Sequence, residues 1–246
     1  MKHHYVCILL LVVVSACQHR QDHTAQSLPD SSISQASVIQ STSESPGPSP
    51  NNFLIIPGIQ VGAVTANATE ASLIRLLGVE HVSRDTIYVA EGNFEIGTTL
   101  FKNTANQAQI LWADNRHFAR PETVLLRPAR DAENRLIAGS NPQWITDKGL
   151  VLGMTLRQVE KINGRPFALY GFGWDYGGLS SGWKGGALDQ KDGKTYIGLG
   201  FGVPESQAAS QEKLYESLMG DQEFPSNNPA MQKLNPIVEN LTISFK

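Results

Sequence analysis

Thr155-Leu156-Arg157-Gln158-Val159-Glu160-Lys161-Ile162-Asn163-Gly164 and, 86 residues earlier, Thr69-Glu70-Ala71-Ser72-Leu73-Ile74-Arg75-Leu76-Leu77-Gly78 share one pattern. Each opens on Thr, carries apolar residues four and seven positions on, and closes on Gly at the ninth. Thr at a helix start accepts an otherwise orphaned backbone N–H, and Thr155 with Gln158 forms a capping box. Apolar side chains three apart lie on one helix face. Gly supplies a left-handed stop, and Pro166 opposes continuation after the second. The spacing predicts two helices of two to three turns, each docked by one stripe.

What surrounds the helices is also repeated. Residues 81–91, 98–102 and 109–113 follow the first, and 167–172, 183–189 and 195–199 follow the second. These runs are rich in aromatic and β-branched residues and separated by turn signals, so they predict antiparallel strands. Lys191-Asp192-Gly193-Lys194 reads as a hairpin turn, with residues 103–107 in the corresponding place. A further strand, 123–126, closes the first set, and short apolar runs at 60–65 and 149–152 precede the helices. Ser206 is positioned to cap a helix over 207–219 that stops at Gly220. Residues 237–245 place Ile237, Leu241, Ile243 and Phe245 on one side of a half-buried strand. The fold class expected is α+β: two tandem units of a short helix on an antiparallel sheet, over 53–140 and 141–246.

Gly153-Met154-Thr155, followed by Val159, Ile162, Gly164 and Pro166, resembles the signature of the small outer-membrane lipoproteins of the SmpA/OmlA (BamE) family. The β-lactamase-inhibitor proteins carry two tandem units of similar design. The resemblance spans about fifteen residues of this chain, and the first unit departs from it at Asn67-Ala68. It implies a short helical segment paired with an antiparallel sheet and a role in binding proteins. No site residue is carried over from it.

The densest aromatic stretch is 170–186, where Tyr170, Phe172, Trp174, Tyr176 and Trp183 are interleaved with seven glycines. Alternation predicts a strand with the first four rings on one face. Gly171 and Gly173 would leave the other face bare for close approach by backbone or ligand. Such a ring face is either core or an exposed platform for a protein or glycan. Tyr170, Phe172, Trp174, Asp175, Tyr176 and Trp183 are therefore the candidate binding residues.

Catalytic patterns are weak. Gly178-Leu179-Ser180-Ser181-Gly182 fits a hydrolase elbow as a string, but no His follows His117; a turn is expected there. His81 and His117 have no second His or Cys at ligand spacing, so neither metal nor cofactor is expected. His81 itself is expected within a strand. Paired carboxylates for glycoside chemistry would have to come from Asp175 and Glu91, which hold similar places in the two units. Arg116, Arg120, Arg127, Arg130 and Arg135 read as a solvated strand face, or as a contact for peptidoglycan or lipid headgroups.

The N-terminus carries addressing information. Lys2 precedes an apolar run over 5–14, too short to span a bilayer but suited to a signal segment over 1–16. Val14-Ser15-Ala16-Cys17 resembles a lipoprotein lipobox, which implies lipidation of Cys17 after cleavage. Gln18 stands where Asp would imply inner-membrane retention, so by resemblance the outer membrane of a bacterial envelope is expected. Residues 18–52 hold nine Ser and four Pro without apolar period, the composition of a tether or spacer. The remainder, 53–246, holds 18 basic and 20 acidic residues, which argues against a nucleic-acid partner. The expected function is a non-catalytic protein-binding module in the periplasm, with a membrane contact through lipid. The alternative is a glycan-binding protein or hydrolase acting on cell-wall polymers.

Overall fold

A computed structural model describes residues 52–131, 135, 137, 141–191 and 195–245. The signal segment, Cys17, the tether up to residue 51, and most of the 191–194 turn lie outside the described residues. In chain order the elements are β1 (Leu54–Ile56), β2 (Gln60–Val61), β3 (Val64–Thr65), α1 (Glu70–Leu77), β4 (Val82–Ala90), β5 (Asn93–Leu100), β6 (Ala108–Asp114), β7 (Ala119–Leu126) and β8 (Ile145–Thr146). Then come α2 (Leu156–Asn163), β9 (Ala168–Tyr170), β10 (Ser180–Gly182), β11 (Ile197–Gly202), α3 (Glu205–Ser210), α4 (Glu212–Glu216), β12 (Glu223–Pro225), α5 (Pro229–Leu234) and β13 (Ile237–Ser244). The fold is α+β.

The two helices form where the repeated pattern lies. Thr69 Oγ1 accepts from Ser72 N at 3.0 Å, and Ser72 Oγ accepts from Thr69 N at 2.9 Å. At the second helix the Thr155 N–H donates to Gln158 Oε1 at 2.8 Å, and Gln158 N donates back to Thr155 Oγ1. Each helix therefore has a reciprocal cap. The buried stripe is Leu73 and Leu77 in α1, and Leu156 and Val159 in α2. Gly164 makes the left-handed stop at φ 76°, while Gly78, at φ 94° and ψ 148°, turns the chain into a 3₁₀ turn over Val79–His81. His81 therefore ends that turn rather than lying in a strand. Replacing either cap, Thr69→Ala or Thr155→Ala, is expected to cost about 1 kcal/mol, read as a lowered urea midpoint; an unchanged midpoint would remove the caps from the account.

The main sheet is antiparallel with strand order β11-β13-β7-β6-β5-β4. Its central seam joins the two ends of the chain: Leu126 faces Leu241 and Val124 faces Ile243, all buried. Isolated bridges tie the cap residues to the strands of that seam, Thr69 to Ala119 and Thr155 to Ile237. A three-stranded sheet β10-β9-β12 continues from β11 through the Leu179–Gly200 bridge, and a four-stranded sheet β3-β2-β1-β8 contains one parallel pair, β1 with β8. One core runs through both helices and the seam, including Leu73, Trp112, Leu126, Val159, Phe167, Trp183, Phe201 and Leu241. Burial raises the Glu70 carboxyl of α1, but hydrogen bonds from Arg84 and Thr98, with the Arg84 charge, hold it below the usual range. That group pins the first turn of α1 to β4 and β5.

Several expectations differ from what forms. Residues 183–189 make turns, not a strand, because Lys184 and Gly185 take φ of 53° and 71°. The buried Asn163 amide holds these turns, donating to the Trp183 carbonyl at 3.1 Å and accepting from Leu188 N at 3.1 Å. The strand lies instead at β10, where a turn was expected. The helix over 207–219 is broken into α3 and α4 at Gln211, where φ is −127°. Ser210 Oγ donates to the Gln207 carbonyl, a local bond that competes with helix continuation. Its start is Pro204, with no side-chain cap from Ser206. Helix α5, within a stretch read as loop, is capped by Asn228 with Pro229 in its first turn, a signal the sequence carries openly.

Candidate functional site

The segment 170–183 does not form one alternating strand. Strand β9 ends at Tyr170, and Gly173 and Gly178 take φ of 87° and 74°, which redirects the chain into turns. The close approach implied by the glycines is present: a Cβ on Gly171 would lie 2.6 Å from the carbonyl oxygens of Leu218 and Gly220. The six candidates consequently separate. Phe172 and Trp183, each 4% exposed, belong to the core. Phe172 stacks on Tyr215, and Trp183 Nε1 donates to the Ile197 carbonyl at 2.8 Å. Tyr170 and Tyr176 are half-buried, while Trp174 and Asp175 are exposed.

The exposed part is joined by residues from far away in sequence. In the β4–β5 hairpin Tyr88 faces Phe94 and Thr86 faces Ile96. They share the face on which Arg84 and Thr98 reach α1. That helix, of eight residues, is about 12 Å long, whereas the nine residues of β4 run about 30 Å. The outer half of the hairpin is thus left uncovered, with Phe94 61%, Ile96 53% and Tyr88 40% exposed. Trp174, 36% exposed, lies at the other side of the same surface. Ring contacts run Phe94 to Tyr88, and Tyr170 to Trp174 to Tyr176, at 5.2–5.5 Å. The sequence reading missed Tyr88, Phe94 and Ile96; the Tyr88, Phe94, Ile96 alternation was the available signal, hidden because Glu91-Gly92 is not a usual turn pair.

Asp175 links the two groups. Its Oδ2 accepts from the Tyr88 hydroxyl at 3.2 Å and from Glu91 N at 2.7 Å. Glu91 and Gly92 connect β4 to β5 with φ of 52° and 75°, both positive as a type I′ turn requires. Glu is unusual there, since Gly, Asn and Asp take this conformation more readily. Tyr176 is raised above the ordinary phenol range by burial first, then by the Glu91 and Asp175 carboxylates. Asp175 and Glu91 are thus brought together, and both stand exposed at a hairpin tip rather than flanking a cleft.

Other features are accounted for by packing. Ser180 is buried, and its Oγ accepts from Leu199 N at 3.0 Å, a structural bond within the sheet. His117 pairs with Asp114 at 3.0 Å, and His81 lies against Phe101 and Glu80. Among the described residues no group of three or more His, Cys, Asp or Glu is placed to hold a metal. The arginines are not one solvated face: Arg127 is half-buried and donates to the Tyr88 carbonyl at 2.8 Å, Arg130 pairs with Glu239, and Arg135 pairs with Asp131. A cavity of about 640 Å³ beside Trp174 is bounded by Phe172, Tyr215, Arg130, Glu205 and Glu239. Among the described residues no helix is long and apolar enough to cross a membrane. No family model, curated protein or solved structure matches the chain.

Proposed function

We propose that the chain is a lipid-anchored protein of the bacterial envelope that binds partner proteins without catalysis. The observation that carries this reading is the contiguous exposed surface of Tyr88, Phe94, Ile96 and Trp174. Aromatic anchors on a rigid, otherwise polar surface are the usual hot spots of protein interfaces. Asp175 cross-links its two sides, so little ordering entropy remains to be lost on binding.

The same proposal takes the fold to be two tandem units, as in the SmpA/OmlA and β-lactamase-inhibitor families that the Gly153-Met154-Thr155 motif resembles. The equivalent caps, the equivalent bridges from Thr69 and Thr155, and the meeting of β7 with β13 at the seam support it. The anchor rests on Cys17 and the segment before it. Cys17→Ala should move the protein to the soluble fraction; continued pelleting without lipid labelling would refute the anchor.

Binding is tested by photo-crosslinkers placed at Phe94 and Trp174 in intact envelopes. Discrete protein adducts are expected from both positions, and none from the exposed Glu212 on α4. Retention on isolated peptidoglycan with no protein adduct would favour the glycan alternative.

A further inference from the structure

Within the aromatic surface two carboxylates, Glu91 and Asp175, stand exposed and side by side, with Tyr88 and Tyr176 around them. Elsewhere the pattern is different: Glu70, Asp85, Asp114, Asp131 and Glu239 each face a basic side chain within 3.3 Å. Among the described residues neither Glu91 nor Asp175 makes an ion pair. The neighbouring cation is Arg127, and its guanidinium is half-buried and directed at the Tyr88 backbone carbonyl. The rim of the surface is therefore negative and ringed by π faces. Rings of Tyr and Trp attract cations, most strongly where water is excluded. A planar guanidinium can both stack on such rings and bond a carboxylate bidentately.

We propose that the notch between the Glu91-Gly92 turn and the Trp174–Tyr176 turn receives an arginine side chain from the partner protein. The proposal rests on the protein-binding reading and names the chemistry of the partner at that surface. Phe94 and Ile96 accept the apolar neighbours of that arginine, and Glu91 and Asp175 supply the charge.

The test is a titration of the full-length chain with the peptide acetyl-Leu-Arg-Leu-amide, and with its neutral citrulline counterpart, to 10 mM. The indole N–H resonance of Trp174 reports binding, and that of the buried Trp183 reports the fold. A saturable shift of Trp174 is expected for the arginine peptide, with Trp183 unmoved. Asp175→Asn keeps an acceptor for Tyr88 and Glu91 while removing charge, and Glu91→Gln does likewise. Each should weaken the arginine peptide about fivefold, a size ordinary for an exposed cation–π and ion-pair contact. Equal shifts from the citrulline peptide, no saturable shift, or unchanged affinity in the double variant would overturn the proposal. If the envelope adducts persist in the double variant but vanish with Phe94→Ala, arginine recognition fails and the protein-binding reading stands. If Phe94→Ala also leaves the adducts intact, both fail.

Discussion

Trp183→Ala should destabilise the protein by about 3–5 kcal/mol, the range for deleting a large ring from a packed core, whereas Trp174→Ala should cost under about 1 kcal/mol. The two residues belong to one aromatic run, yet their surroundings are opposite. Trp183 packs against Phe167 at 5.1 Å and donates its indole N–H to the Ile197 carbonyl of β11. Its removal leaves both a cavity and an unsatisfied carbonyl inside the core. Trp174 loses only edge contacts with Tyr170 and Tyr176 and a bond to the Gly171 carbonyl. Urea unfolding monitored by circular dichroism measures both. Where Trp183→Ala does not fold, Trp183→Phe, which keeps ring volume but not the donor, should still cost about 1–2 kcal/mol. Equal effects of the Trp183 and Trp174 substitutions would mean that the division between core and binding surface is wrong.

Gly178→Ala should cost about 3 kcal/mol, against about 1 kcal/mol for Gly164→Ala. Both positions have φ near 75°, so both carry the penalty of a left-handed residue. They differ in what a side chain would meet. At Gly164 a Cβ would have nothing within 4 Å, while at Gly178 it would lie 2.0 Å from the Phe201 carbonyl oxygen and 3.1 Å from the Phe172 ring. The Gly178 carbonyl also accepts from Phe201 N at 2.9 Å, so any shift breaks a bond between the 171–178 turns and the end of β11. Comparing the two urea midpoints separates backbone strain from steric conflict. If the pair shift equally, the close approach at Gly178 is not the constraint argued here.

The local elements were largely legible in the chain. The Thr-to-Gly pattern located α1 and α2 because capping and a short apolar stripe are properties of ten consecutive residues. Strands β4, β6, β7, β9, β11 and β13 overlap the β-branched and aromatic runs for the same reason. Failures came where a distant group decided the backbone. Residues 183–189 have strand composition, but the Asn163 amide, twenty residues back, holds them in turns. Tyr170 to Tyr176 alternates as a strand would, but Phe172 is drawn under Tyr215 while Trp174 is turned outward.

The candidate site shows the same division more sharply. Composition named Trp174 and Asp175 as residues to examine, and chemistry confined to neighbours could go no further. The other half of the surface, Tyr88, Glu91, Phe94 and Ile96, belongs to a hairpin some 80 residues earlier. By itself the chain determined the two capped helices, the strand runs, the absence of a hydrolase pattern around Ser180, and the expectation of a lipid address at Cys17. Only the tertiary structure decided which rings are core and which are surface. Burial and hydrogen bonding are settled by what lies across space, and α1 is too short to cover the hairpin that it docks on.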